Sequence, residues 1–168
     1  MPEPLALTLV SRCDDLGLVV STAESCTGGL IAAAITDVPG SSSVFERGFV
    51  TYGNGAKIDM LGVEADALEA HGAVSAEVAR QMALGAIKHS HANLAVSVTG
   101  IAGPSGGSEA KPVGLVFSAV AARGDGEAIV VATKKFEFSP ELGRTGIREA
   151  TMRGALQLLI DASALERP

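Results

Sequence analysis

Serine hydroxyls, one tyrosine, one lysine and two glycine-bearing loops are the residues whose types and spacing could do chemistry in this chain. Ser41, Ser42 and Ser43 follow Pro39-Gly40, and Tyr52 and Lys57 come shortly after. A serine hydroxyl attacks poorly until a base takes its proton. Lysine can be that base once burial or a nearby cation lowers its pKa from about 10.4, and a tyrosine can relay the proton. The same composition also describes an ordinary loop followed by a solvated lysine. Distance is an obstacle as well: as one straight strand, residues 43 to 52 span roughly 30 Å at about 3.3 Å per residue. Ser42 then reaches Tyr52 only through a bend, for which Gly48 is available, or across a subunit contact.

A second group is Ala23-Glu24-Ser25-Cys26-Thr27-Gly28-Gly29, set between Leu18-Val19-Val20, which read as a short buried strand, and a small-residue helical pattern over 30–35. Gly28 and Gly29 let backbone approach a ligand. Free N–H groups and the positive end of a helix favour a phosphate or carboxylate there, with the Ser25 and Thr27 hydroxyls as further donors. The loop matches neither the dinucleotide nor the Walker pattern. Cys26 is a rival nucleophile, because a helix N-terminus lowers a thiol pKa, although it has no evident histidine partner. His89 and His91 diverge rather than converge on a metal, so no metal site is expected. A third group, Thr99-Gly100-Ile101-Ala102-Gly103, follows a second apolar run, and in open α/β sheets ligands sit beyond such strand ends. Arg144 and Arg148, one helical turn apart, can face one anion or pair with Glu141 and Glu149.

Elements that must position these groups follow from periodicity and punctuation. Residues 5–16 carry a helical pattern, residues 44–52 read as a strand and Asn54-Gly55 as a turn, and a short helical segment starts over 57–61. A further helix covers 65–69, and Ser75 caps another that ends near Lys88. Strands are expected over 93–99, 113–122 and 128–138, the last two joined as a hairpin through Arg123-Gly124-Asp125-Gly126-Glu127. Ser139-Pro140-Glu141 reads as the start of the final helix, with a cap, a proline and an acid in order. The sum is a single-domain (1–168) three-layer α/β/α sandwich, its sheet mixed because a hairpin is antiparallel.

Composition narrows the partners. The 168 residues are 47% hydrophobic, enough for one sizeable core. A formal charge of −6 with 13 Lys plus Arg argues against gripping nucleic acid, and one Tyr with no Trp makes base stacking improbable. No apolar run approaches the roughly 20 residues that span a bilayer. Two cysteines without metal-like spacing, and no signal-like opening, fit a reduced, cytoplasmic setting.

Four motifs in order now add a resemblance: 23–29 as above, Gly-Phe-Val-Thr-Tyr-Gly-Asn at 48–54, Gly-Ala-Val-Ser at 72–75, and Thr-Gly-Ile-Ala-Gly-Pro with Lys-Pro-Val-Gly across 99–114. Together they resemble the CinA C-terminal domain family over almost the whole chain. The resemblance implies hydrolysis of the carboxamide of nicotinamide mononucleotide to nicotinic acid mononucleotide and ammonia, with no cofactor, in a homodimer or larger assembly. Carried over by position, it implies Ser42 as nucleophile, with Ser41 as the fallback, and Tyr52 and Lys57 as its base system. It further implies that Ser25 to Gly29 and Thr99 to Gly103 surround the nucleotide with Arg148. Many relatives of this type carry an additional N-terminal domain, which this sequence lacks. Two other readings stay open: a nucleotide-binding regulatory module linked to competence or DNA damage, and an amidase for another small amide.

Overall fold

Pro4 opens the first helix, α1 (Pro4–Leu16), and Gly17 ends it at φ 64°, a start and stop that use proline's preset φ and glycine's access to left-handed backbone. The computed structural model describes residues 1–165. After α1 come β1 (Val20–Glu24), α2 (Leu30–Thr36), β2 (Phe45–Val50), α3 (Asn54–Leu61), α4 (Ala65–His71) and α5 (Ala76–Lys88). Then follow β3 (Leu94–Gly100), β4 (Leu115–Arg123), β5 (Ala128–Glu137) and α6 (Gly143–Ser163). Short 3-10 turns occupy Ser41–Ser43 and Pro140–Leu142.

The five strands form one sheet in the order β2-β1-β3-β4-β5. β1 runs parallel to β2 and β3, whereas β3–β4 and β4–β5 are antiparallel. Successive strand side chains leave on opposite faces, and that alternation builds two cores. On one face Val20, Val96 and Val120 pack with Leu9 of α1, Ile31 and Ile35 of α2, and Leu156 and Leu159 of α6. On the other, the smaller Ala23, Ala95 and Ala119 meet Val78, Met82 and Ile87 of α5, with Leu61 of α3. The expected three-layer sandwich with a mixed sheet is the fold observed.

Alanines on that second face bring α5 down onto the sheet, and Gly85 then brings α3 down onto α5. A Cβ built at Gly85 would lie 2.0 Å from the Leu61 carbonyl oxygen, so α5 meets the end of α3 through bare backbone. This contact fixes where α3, and Lys57 in its first turn, sits above the sheet.

Three differences from expectation bear on the site and its supports. β1 starts at Val20 and continues through Glu24, so the strand enters the 23–29 motif instead of stopping before it. Asn54-Gly55 is not a turn but the opening of α3, docked as just described. Ser139-Pro140-Glu141 makes its own 3-10 turn, with the Ser139 hydroxyl accepting from the Glu141 N–H at 3.3 Å. Gly143, at φ 68°, separates that turn from α6.

Candidate active site

Strand alternation decides what the carboxyl end of β1 presents. Glu24 leaves on the α2 side and Ser25 on the α3 side. The Ser25 N–H still pairs with the Val98 carbonyl of β3 at 3.1 Å, so the residue is held by the ladder although it lies just past the strand. Lys57, on α3, is 1% exposed despite its charge-bearing side chain. Its Nζ donates to the carbonyl oxygens of Thr51 at 2.7 Å and Tyr52 at 3.3 Å, and it lies 3.0 Å from Ser25 Oγ. Burial pushes the Lys57 pKa down, only partly opposed by the nearby Cys26 thiol. A neutral amine has two N–H donors and one lone pair. Here Nζ donates to three oxygens, the Thr51 and Tyr52 carbonyls and Ser25 Oγ; once the amine gives up one proton, the two carbonyls can keep its donors and the lone pair is free to face the serine hydroxyl.

These groups open into a cleft of about 270 Å³ beyond the carboxyl ends of β1 and β3. Ser25, Cys26, Tyr52 and Lys57 form one wall, and Thr99, Gly100, Ile101, Ala102 and Gly103 with Ser105 and Gly106 form another. Ala73 and Val74 close a third side, tied in by the Thr99 hydroxyl, which donates to the Ala73 carbonyl at 2.8 Å. Arg144 of α6 lines the cleft too; it donates to the Gly103 carbonyl at 2.8 Å and to Tyr52 Oη at 2.9 Å. Five N–H donors belong to a guanidinium, so Arg144 keeps donors for an anion. A larger hollow of about 570 Å³ lies between α5 and the β4–β5 hairpin. Its Arg123 is committed to the carbonyls of Ile87, Ser90 and Ala92, and nothing there is arranged to attack.

Several expected site residues stand elsewhere. Ser42 is exposed at the amino end of β2, whereas Lys57 and Tyr52 stand past its carboxyl end. β2 lies alongside β1 over its whole length and does not double back at Gly48. Six residues at about 3.3 Å each keep the two ends roughly 20 Å apart. Within the chain, therefore, neither Ser42 nor Ser41 meets Lys57; their neighbour Ser43 bonds Asp14 at 2.7 Å instead.

Tyr52 offers Lys57 its main-chain carbonyl, and its hydroxyl is turned to Arg144 rather than to the amine. Thr27 is fully buried with its hydroxyl on Glu24, and the Gly29 N–H is also on Glu24, so neither is left for a ligand. Gly28 and Gly29, at φ 59° and 99°, serve the turn itself. Arg148 does not line the cleft; it donates to the Cys26 and Thr27 carbonyls at 3.1 and 2.8 Å, clamping the turn from α6. Burial raises the Cys26 thiol to about 11, well above neutrality, which removes it as a thiolate nucleophile.

Of the two arginines the sequence offered for an anion, the resemblance selected Arg148 whereas Arg144 lines the cleft, and Ser25 was given a binding role alone. Continuing β1 to Glu24 would have placed Ser25 at a strand's carboxyl end, the position where such sheets hold ligands. Among the described residues no group of His, Cys, Asp and Glu can hold a metal, and no helix is long and apolar enough to cross a membrane.

Fold and cleft define a class: an α/β domain carrying a buried lysine amine against a serine hydroxyl on a strand-to-helix turn. The chain belongs to the CinA C-terminal domain family, whose model matches residues 2–163. It is 53% identical over 144 residues to the nicotinamide-nucleotide amidohydrolase PncC of Escherichia coli K12, covering 85% of this chain and 83% of that one. A longer Caldicellulosiruptor saccharolyticus protein with a competence-damage inducible name is 54% identical over 157 residues, 94% of this chain but 36% of that protein. The crystal structure of the competence/damage inducible protein CihA from Agrobacterium tumefaciens superposes with a TM-score of 0.87 at 55% identity, covering 94% of this chain and 92% of the other.

Proposed function

We propose that this chain hydrolyses the carboxamide of nicotinamide mononucleotide, with Ser25 as nucleophile and Lys57 as its base. The observation that carries the reading is the buried Lys57 amine 3.0 Å from Ser25 Oγ, inside a cleft. The name of the Escherichia coli relative, which spans a similar length, supports the substrate.

Chemistry at this pair runs in two halves. As Ser25 Oγ attacks the amide carbon, its proton passes to the Lys57 lone pair, and the carbonyl electrons move onto oxygen. The tetrahedral oxyanion needs fixed donors. Among the described residues the Cys26 and Thr27 N–H groups donate to no other residue, and the amide following a nucleophile on such a turn is a common donor. Collapse breaks the carbon–nitrogen bond; Lys57 returns the proton to the leaving nitrogen and ammonia departs. In the second half the neutral amine takes a proton from water, whose oxygen attacks the nicotinyl ester. Lys57 then gives that proton to Ser25 Oγ, and nicotinic acid mononucleotide leaves. Arg144 supplies charge-assisted bonds to the phosphate.

The test is ammonia release from nicotinamide mononucleotide, the corresponding riboside and a simple amide by the purified chain and by Ser25→Ala. Ammonia from the mononucleotide in the wild type and none in the variant is the expected result. Binding of the mononucleotide without ammonia points instead to a regulatory module, and ammonia from the simple amide alone points to a different amidase.

A further inference from the structure

We propose that Glu24 is a positioning residue for Ser25: its buried carboxylate occupies the start of α2 and thereby locks the 25–29 turn in the geometry that attack requires. This rests on the reading of Ser25 as nucleophile. The carboxylate is fully buried. Oε1 accepts from Thr27 Oγ1 at 2.7 Å, from the Gly29 N–H at 3.2 Å and from the Ile31 N–H at 2.9 Å, and Oε2 accepts from the Ala32 N–H at 3.0 Å. No ion pair to Glu24 is found among the described residues. A buried carboxylate without a cation is tolerated only when its oxygens are fully hydrogen-bonded, and the positive end of a helix is one of the few neutral partners that can do this. The anion favoured at this helix start is therefore the chain's own side chain.

Two consequences reach the neighbouring residue. First, Glu24 and Ser25 are consecutive, so anchoring one to α2 on one face of the sheet fixes the other toward α3 on the opposite face. Second, the turn is held by its outer groups. Glu24 takes the Thr27 hydroxyl and the Gly29 N–H, while Arg148 takes the Cys26 and Thr27 carbonyls. In a trans peptide the N–H points away from the C=O, so the clamp on the Cys26 carbonyl turns the Thr27 N–H away from α6. Among the described residues the Thr27 N–H has no acceptor, and the Cys26 N–H faces only its own thiol sulfur. Glu24 thus sets both the hydroxyl and the unspent donors without touching the substrate.

Replacing Glu24 by Gln keeps the shape but aims an NH2 group where an acceptor is needed, and Thr27→Val removes one of the four donors at nearly constant volume. In the full chain, kcat and KM for ammonia release from nicotinamide mononucleotide are measured for wild type, Glu24→Gln and Thr27→Val. Amide hydrogen exchange at Gly29, Ile31 and Ala32 is followed in parallel. Glu24→Gln is expected to lower kcat at least about tenfold with KM within about threefold, as for a misplaced nucleophile, and to speed exchange at those amides. Thr27→Val shows a smaller loss in the same sense. Wild-type kcat in Glu24→Gln, or a loss confined to KM, overturns the proposal. Should Glu24→Gln fail to fold, unchanged kcat in Thr27→Val overturns it. A wild type that releases no ammonia defeats the amidase reading instead, and unchanged exchange in Glu24→Gln then defeats the anchoring separately.

Discussion

Two serine-bearing turns lie at opposite ends of the parallel half of this sheet, and only one sets its hydroxyl against a buried amine. Ser25, past the carboxyl end of β1, has a buried amine at 3.0 Å and a cleft in front of it. Ser42, before β2, is exposed among hydroxyls, and its neighbour is engaged by Asp14. The residue type is the same; the surroundings differ in burial, in the presence of a base and in which ends of the strands are close. On the proposed reading, nucleophilicity belongs to the environment rather than to a serine as such.

The comparison breaks most visibly through Ser25→Ala, which is expected to lower kcat for ammonia release at least about 10³-fold, as removal of a nucleophile does elsewhere. A residual rate near wild type would return the role to another hydroxyl. Lys57→Met, which keeps an unbranched side chain of similar length, is expected to cost about 10²- to 10⁴-fold. Burial holds the Lys57 pKa below its ordinary 10.5, so the neutral base forms at lower pH than in a free lysine. The acid limb of kcat/KM accordingly falls below that ordinary value, and Lys57→Met erases it. Stability carries the same signature with its sign fixed by linkage. The unfolded chain binds the proton more tightly, so stability rises with pH from the lowered folded value up to about 10.4. Denaturant melts of wild type and Lys57→Met across that range measure the difference, which is absent in the variant.

Arg144→Ala sharpens the contrast further, since it acts on the cleft alone. A KM for the mononucleotide raised about 10- to 100-fold is expected, matching loss of charge-assisted hydrogen bonds worth about 1.5–3 kcal/mol, with little effect on a substrate lacking phosphate. Equal losses for mononucleotide and riboside would remove the phosphate role. The smallest effect is Ser42→Ala: turnover and melting temperature unchanged, with stability within about 0.5 kcal/mol as for an ordinary surface position. Any large loss of turnover there contradicts the contrast between the two turns.

Much of the architecture was legible because it is written in periodicity. The helical pattern over 5–16, the Ser75 cap and the Arg123–Glu127 hairpin follow from local chemistry, and the structure has them. Local chemistry is also why Asn54-Gly55 misled: the pair favours a turn, but Gly85 docks α3 so closely that the helix begins there. The cleft was half legible. Lys57 and the 99–103 loop line one cleft, positions that the four motifs together pointed to although the lysine alone reads equally as solvated surface. Ser42 was carried over from the family resemblance, against the separation that a straight strand over 43–52 already set, and the strand is indeed straight. Glu24 left no trace as a buried group, since a carboxylate beside a serine reads as a solvated loop until the strand is seen to run through it.

Parity along β1 has a cost that no single side chain reveals. Glu24, whose carboxylate caps α2, and Ser25, whose hydroxyl meets Lys57, are adjacent letters that exit on opposite sides of one sheet. Inserting or deleting one residue within that strand would exchange their destinations, presenting a carboxylate to the lysine and an alcohol to the helix start. A one-residue change of length inside Val20–Glu24 therefore does far more than the same change in a loop outside the strand.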